Sequence, residues 1–403
     1  MTQYFTPERG AAQVRLDALV RELDRRGHRV EVVTAIPNYP TDHLFEGWSR
    51  RPVQVAREGR VRTIRVWVWP AVGSGAGRRL NYLSFALMSV VGLARARPAT
   101  WTFIEYPPLP AALPALLWCR VRGRRTIVNV ADLWVDAAIE VGAIGAGWPA
   151  AGARWLERWL LQGADVVNAV TEGLEEAILA KGVVPERVRW LPNGVDPSLF
   201  APGPADPTVR SELGVPDDHD LVLYAGTHGY THSVDVVLDA ANELRDEPVT
   251  FALAGEGSEK ARLRRRADEL GLTNVHFVDS VPPERVADYL RVAVIGLATV
   301  RPGELYRSVR SAKMLPVMAS EIPVLYAADD EGAAIVSRLD AGIATPPGDG
   351  RAMAEAIRTL VADPGRRAEM GKRGRAYAST EGSWETIVAP WLEQLGQGDG
   401  AHR

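Results

Sequence analysis

The segment LPNGVDPSLFAPGPADP, residues 191–207, splits the chain into two stretches that repeat one pattern. Proline, glycine, asparagine and aspartate crowd it, and that composition marks a linker. Before it, RVEVVTA (29–35) and TIVNV (126–130) read as buried strands. VRTIRVWVWP (61–70), WTFIEY (101–106) and ADVVNAV (164–170) are further strand candidates. Between 11 and 28, Leu16, Leu19, Val20 and Leu23 recur at helical spacing until Gly27 stops the run. A helix at 172–181 follows. After the break, strands are predicted at 220–226, 249–255, 274–279, 292–299 and 322–327. Helices are predicted over 233–245, 259–270, 283–291, 331–338, 350–362, 365–377 and 383–395.

Strand–helix alternation on both sides of a linker implies two doubly wound α/β domains. They are expected at 1–195 and 205–380, with a last helix, 383–396, packing back on the first. A chain of 403 residues is long enough for two proper cores. Ligands of such sheets bind beyond the carboxyl ends of the strands, so two domains predict a cleft between them. The opening MTQYF reads as the tail of a first strand, shorter than the usual five or six residues.

Charge narrows the function. The net charge is −3, which offers no basic field to nucleic acid. Cys119 is the single cysteine, so neither an internal disulfide nor a cysteine metal cluster is available, which fits a reducing cytoplasm. The apolar stretches 80–94 and 108–119 fall short of the ~18 residues of a membrane span. Arg78, Arg79, Arg95, Arg97 and Arg120 flank them. They read either as two helices buried on a sheet or as a shallow contact with a membrane surface. A cytoplasmic protein with an open option of peripheral membrane contact is therefore expected. Oligomeric state is not legible.

Several turns carry chemistry. PERGAA (7–12) joins the first strand to the first helix, and Gly10 is expected to give a tight turn there, with Ala11 opening the helix. In YAGTHGYTHSVD (224–235), Gly226 and Gly229 leave room, and Thr227 and His228 are expected to point into the cleft. In AGEGSEK (254–260), Gly255 and Gly257 allow close approach, and Glu256 and Lys260 are placed to meet a polar ligand. Such turns on successive strands converge on one edge of a sheet. His228 and His232 have metal-like spacing but no third ligand. DHD (218–220) precedes a strand, at the wrong end of a sheet for a site. Asp132 lies just past a strand end with Trp134 beside it, to orient a substrate hydroxyl or to cap the next helix. Lys313, one of only four lysines, stands near the start of a short helix that also contains Pro316. A proline costs ~3 kcal/mol in a helix interior and is tolerated in the first turn. The helix should therefore start near Lys313 or be distorted.

These segments, in this order, resemble the retaining glycosyltransferases of family 4, and most closely bacterial enzymes of the fucosaminyltransferase type that build cell-surface saccharides. The family motifs QYFPPE, DLWPES, PNGVD, YAGNHG, GDGP and NVxFLG stand here as QYFTPE, DLWVDA, Pro192–Asp196, YAGTHG, GEGS and NVHFVD. The likeness runs through nearly the whole chain. It implies the GT-B fold, two Rossmann-like domains facing across a cleft. It implies a UDP- or GDP-sugar donor on the second domain, a sugar acceptor on the first, and neither metal nor cofactor. Carried over, Val278 and Ser280 meet the base. Gly226, Thr227, His228 and Gly229 lie near phosphate or sugar, with Glu256 and Gly257 alongside. Arg307, Arg310, Ser311, Ala312, Lys313 and Met314 belong to the segment that wraps the diphosphate. Asp132 lies near the reacting sugar as the catalytic residue, and Gly10, Ala11 and Trp134 stand on the acceptor side.

The chain also departs from that pattern. Pro316 stands where the family's glutamate grips the ribose, Glu321 where it has glycine, Ser308 at its first carboxylate position, and Ala131 where relatives carry Arg or His. Arg301, Arg307 and Arg310 are candidates to compensate by gripping phosphate. The resemblance then implies an active transferase with an unusual donor or acceptor, such as a small specialised metabolite. Alternatives are a surface-polysaccharide or lipid-linked sugar transferase, and a GT-B protein that binds without turnover.

Overall fold

The apolar runs fold as strands and the periodic stretches as the helices that cover them. The computed structural model describes residues 1–8, 10–39, 43–71 and 75–397. It divides into two units, Met1–Pro192 joined by Val388–Arg403, and Asn193–Ile387.

In the first unit the strands are β1 (Glu31–Ala35), β2 (Val53–Glu58), β3 (Val61–Val66), β4 (Trp101–Tyr106), β5 (Arg125–Val130), β6 (Val166–Ala169) and β7 (Val188–Trp190). They pair in the orders β1-β3-β2 and β4-β5-β6-β7. The short opening segment stitches these sheets together. The Thr2 amide donates to Val33 (3.0 Å), the Ala35 amide to Gln3 (3.3 Å) and the Glu105 amide to Met1 (3.0 Å). The run 61–70 holds strand only to Val66, and its antiparallel partner β2 was not expected.

The helices are α1 (Ala11–Arg25), α2 (Ala76–Arg95), α3 (Leu109–Val121), α4 (Trp134–Glu140), α5 (Trp148–Gly163) and α6 (Glu172–Ala180). Helix α2 comes down on β1 and β3 at Gly92, where a Cβ would stand 2.5 Å from a Val33 methyl. Phe85 and Leu93 of α2, and Ala112 and Leu116 of α3, are buried. Leu83, Leu87, Leu117 and Val121 are exposed, so the two apolar stretches are buried on their inner faces only. Among the described residues no helix is long and apolar enough to cross a membrane.

The second unit contains α7 (Thr208–Glu212), β8 (Asp220–Ala225), α8 (Asp235–Glu243), β9 (Val249–Ala254), α9 (Lys260–Glu269), β10 (Val275–Val278) and α10 (Pro283–Val292). Then follow β11 (Ile295–Thr299), α11 (Met314–Ala319), β12 (Val324–Ala327), α12 (Glu331–Leu339), β13 (Gly342–Thr345), α13 (Gly350–Ala362), α14 (Pro364–Thr380) and α15 (Trp384–Gln397). Six parallel strands lie in the order β10-β9-β8-β11-β12-β13. Leu221 and Leu223 enter one core and Val222 and Tyr224 the other, as a strand buried on both faces requires. Strand order reverses between β8 and β11, the position where open α/β sheets bind ligands.

Helix α15 belongs to both units, from Val388 onward to the first. There the Trp391 indole donates to Asn168 (3.0 Å) and packs edge-on against Phe103.

Candidate functional site

At the switch point, the loops leaving β8 and β11 are bonded to each other. The Arg301 amide donates to Thr231 (2.9 Å) and the Thr299 hydroxyl to the His232 carbonyl. The loop leaving β9 joins them. The His228 amide donates to Glu256 (2.9 Å), and the Glu259 amide donates back to His228 (3.0 Å). The glycines explain this packing. A Cβ on Gly255 would stand 1.9 Å from the Gly226 carbonyl oxygen, and one on Gly257 would stand 2.2 Å from that of His228. The room they leave is thus filled by neighbouring backbone. That left by Gly226 is filled by Lys313, whose Cε would lie 2.1 Å from its Cβ. Gly229 leads into the short turn Tyr230–His232.

Lys313 immediately precedes α11. Its ammonium lies over the Tyr224 ring (5.4 Å to the centroid) and 3.3 Å from His232 Nδ1. Among the described residues no carboxylate pairs with it, and burial pushes its pKa down to about 7. Among the described residues the amides of Ala312 and Lys313 have no acceptor, whereas the Ser311 amide donates to the Tyr326 hydroxyl (2.8 Å). Met314 is buried, and its amide donates to Ser311 (3.3 Å). Pro316 is the third residue of α11, where its missing N–H has no partner to lose. The helix thus starts just after Lys313.

The structure corrects the expectation for His228. Its ring is buried between Tyr224 and Phe277, and neither ring nitrogen has a hydrogen-bond partner. Burial, aided by the Lys260 and Lys313 charges, pushes its pKa down to about 4. Thr227 is half-buried, and its carbonyl accepts from the Tyr224 hydroxyl (2.7 Å). Glu256 and Lys260 pair with each other (2.6 Å), and Lys260 also reaches Asp279 (2.7 Å) and the Val278 carbonyl (3.2 Å). Their charges are therefore engaged within the chain. Val278 ends β10, and Ser280, half-buried, follows it.

The arginines also differ from expectation. Arg310 is buried against Glu331 (2.6 Å), and exposed Arg307 pairs with Glu304 (2.9 Å) and Asp329 (2.8 Å). Arg310 is thus engaged inside the chain, whereas Arg307 stays at the surface. The Arg301 guanidinium lies over the Tyr230 ring (3.6 Å to the centroid), with no carboxylate partner among the described residues. A cavity of about 200 Å³ is lined by Arg301, Glu304, Tyr306, Arg307 and Asp329.

In the first unit, Asp132 follows β5 and does not cap α4, whose first turn has no side-chain cap. Burial raises its pKa, opposed by the Leu133 amide. Trp134 opens α4 and stands edge-on to Tyr82, whose hydroxyl accepts from Arg78 (2.9 Å). Gly10 precedes α1 in extended backbone (φ 169°), and a Cβ there would stand 2.6 Å from the Gln13 side-chain oxygen. Ala11 opens α1, and Arg9 lies outside the described residues. Sequence reasoning missed Glu8. It is buried and accepts from the amides of Phe5 (3.2 Å), Asn38 (2.9 Å) and Tyr39 (2.9 Å). Burial raises its pKa to about 7 despite those donors and nearby Arg65. This carboxyl ties the loop after the opening segment to the loop after β1. Two of its three partners lie about 30 residues on, so no local motif could show the tie.

Residues 10–194 match the family described as a glycosyl transferase 4-like domain, and residues 219–363 match glycosyl transferases group 1. WcaI of Escherichia coli (strain K12), assigned provisionally as a colanic acid biosynthesis glycosyl transferase, is 32% identical over 282 residues. That match spans 68% of this chain and 69% of WcaI. A D-inositol 3-phosphate glycosyltransferase of Xylanimonas cellulosilytica is 28% identical over 98% of this chain and 94% of its own length. Among solved structures, Anabaena Alr3699/HepE in complex with UDP-glucose matches with a TM-score of 0.74 at 17% identity, covering 98% of each chain. Sucrose-phosphate synthase from Thermosynechococcus elongatus matches at 0.75 and 21%, over 98% of this chain and 94% of the synthase. At these identities the structural likeness speaks to fold.

Proposed function

Because the chain belongs to the glycosyltransferases, joining a 4-like and a group 1 domain in the GT-B fold, we propose that it moves a sugar from a UDP- or GDP-sugar to an acceptor with retention and without a metal ion. One observation carries the reading. Lys313 holds an ammonium with no carboxylate partner at the switch point of the group 1 domain, next to two amides without acceptors. A diphosphate supplies the missing charge. Val278 and Ser280, at the carboxyl end of β10, then serve the base. Asp132, in the 4-like domain, serves the reacting sugar and acceptor hydroxyl. The acceptor attacks the anomeric carbon on the face that the nucleotide leaves. The protein contributes positioning and stabilises the departing charge.

A surface-polysaccharide acceptor is the second reading, favoured over a small specialised metabolite by the similarity to WcaI. Pro316, in place of a ribose-gripping glutamate, favours a third, binding without turnover.

Calorimetric titration with UDP and GDP tests the donor site. One of the two is expected to bind, and Lys313→Ala to weaken it at least tenfold, because a charge-assisted contact contributes about 1.5–3 kcal/mol. Turnover of the matching nucleotide-sugar should survive chelation by EDTA. If neither nucleotide binds, the donor-site reading fails. If one binds and no nucleotide-sugar is consumed, the chain is a binder.

A further inference from the structure

The outer faces of α2, α3 and α5 carry exposed apolar side chains with arginines among them. Helix α2 packs along α3, and α3 against α5, so the three lie side by side. Each points a stripe of large apolar side chains into water: Leu80, Leu83 and Leu87 on α2, Leu117 and Val121 on α3, Trp148 and Trp155 on α5. Leu87 is 73% exposed, Val121 82% and Trp148 86%, so these are whole side chains in solvent rather than core edges. Large apolar side chains exposed on neighbouring helices mark an interaction surface.

The charge pattern identifies the partner. The three helices contain one carboxylate, Glu157, which is buried and paired with Lys181 (2.6 Å). Around the stripes, Arg79, Arg120, Arg122 and Arg158 have no carboxylate within ion-pair distance among the described residues. Arg154 is paired with Asp136 of the neighbouring α4. A second copy of the chain docked two-fold on this face would set unpaired guanidiniums against each other. Apolar side chains flanked by arginine, on three helices whose single carboxylate is buried, instead suit a bilayer that carries anionic headgroups. The apolar stripes enter the acyl boundary, the arginines meet phosphate, and the two tryptophans sit at headgroup level.

We infer that this face seats the chain on the surface of an anionic lipid bilayer. The inference is independent of the donor site and requires no nucleotide. Co-sedimentation of the full chain with vesicles tests it. The chain is expected to pellet with phosphatidylglycerol-containing vesicles and not with pure phosphatidylcholine, and less so at high salt. Leu83→Glu with Leu87→Glu should abolish pelleting. Arg79→Gln with Arg158→Gln should weaken it about 25-fold, roughly fivefold for each charge removed. These residues are exposed, so the variants should melt with the parent. Absence of vesicle binding, equal binding to neutral vesicles, or unaltered binding by both variants overturns the inference. So does a parent dimer that Leu87→Glu converts to monomer, because the face would then be a protein interface.

Discussion

Lys313 would be an ordinary lysine if a carboxylate stood beside it. Without one, its folded pKa falls from the usual 10.5 to about 7, because packing penalises the charged form. A diphosphate favours the charged form and raises that pKa on binding. The complex therefore holds more proton than the free protein at pH values above about 7. Affinity for UDP or GDP should then fall as pH rises past 7, by up to about tenfold per unit. Below 7 the lysine is already charged and contributes no slope. Calorimetry across pH 6–9 checks this, and Lys313→Met should bind weakly without that slope. His228 does not produce the same profile, since its pKa of about 4 leaves it neutral throughout that window.

At the scale of elements, the three loops at the switch point stand or fall on their glycines. Gly255 has a φ of 149°, and its added Cβ would strike a carbonyl oxygen that has nowhere to go. Gly255→Ala should therefore lower stability by more than about 1 kcal/mol and weaken nucleotide binding with it. Gly226→Ala meets the flexible Lys313 side chain instead. The φ of 158° at Gly226 strains the backbone as at Gly255, so this variant should lose stability as well as binding, with the binding loss the larger because Lys313 is displaced; urea denaturation and nucleotide titration of both variants separate the two effects. Much of this element layer was legible in the sequence. Strands of the second unit are buried on both faces, so they stand out as apolar runs. Pro316 correctly fixed where α11 begins. Strand β2 was not legible because most of it faces water. Within the site, the glycine turns and Lys313 were visible as residue types. What engages Glu8 and Arg310 was not, because the partners come from 30 and 21 residues away.

At the scale of the molecule, the chain returns at its end to the unit where it started. Residues 193–387 are contiguous and complete their own parallel sheet, so a fragment of that span should unfold cooperatively on its own. A fragment of residues 1–192 lacks Trp391, leaving Asn168 without its indole donor and Phe103 without its ring partner. It should bind more of a hydrophobic dye than the full chain does, and a peptide of residues 383–397 should remove the excess; urea melts and dye fluorescence check both fragments. The order of synthesis turns this architecture into a schedule. On the ribosome the middle of the polypeptide is finished and able to fold while the earlier-made portion still waits for its closing helix. Newly made chains therefore pass through a stage in which the oldest half is the unfinished one, and that stage is where a chaperone has the most to shield.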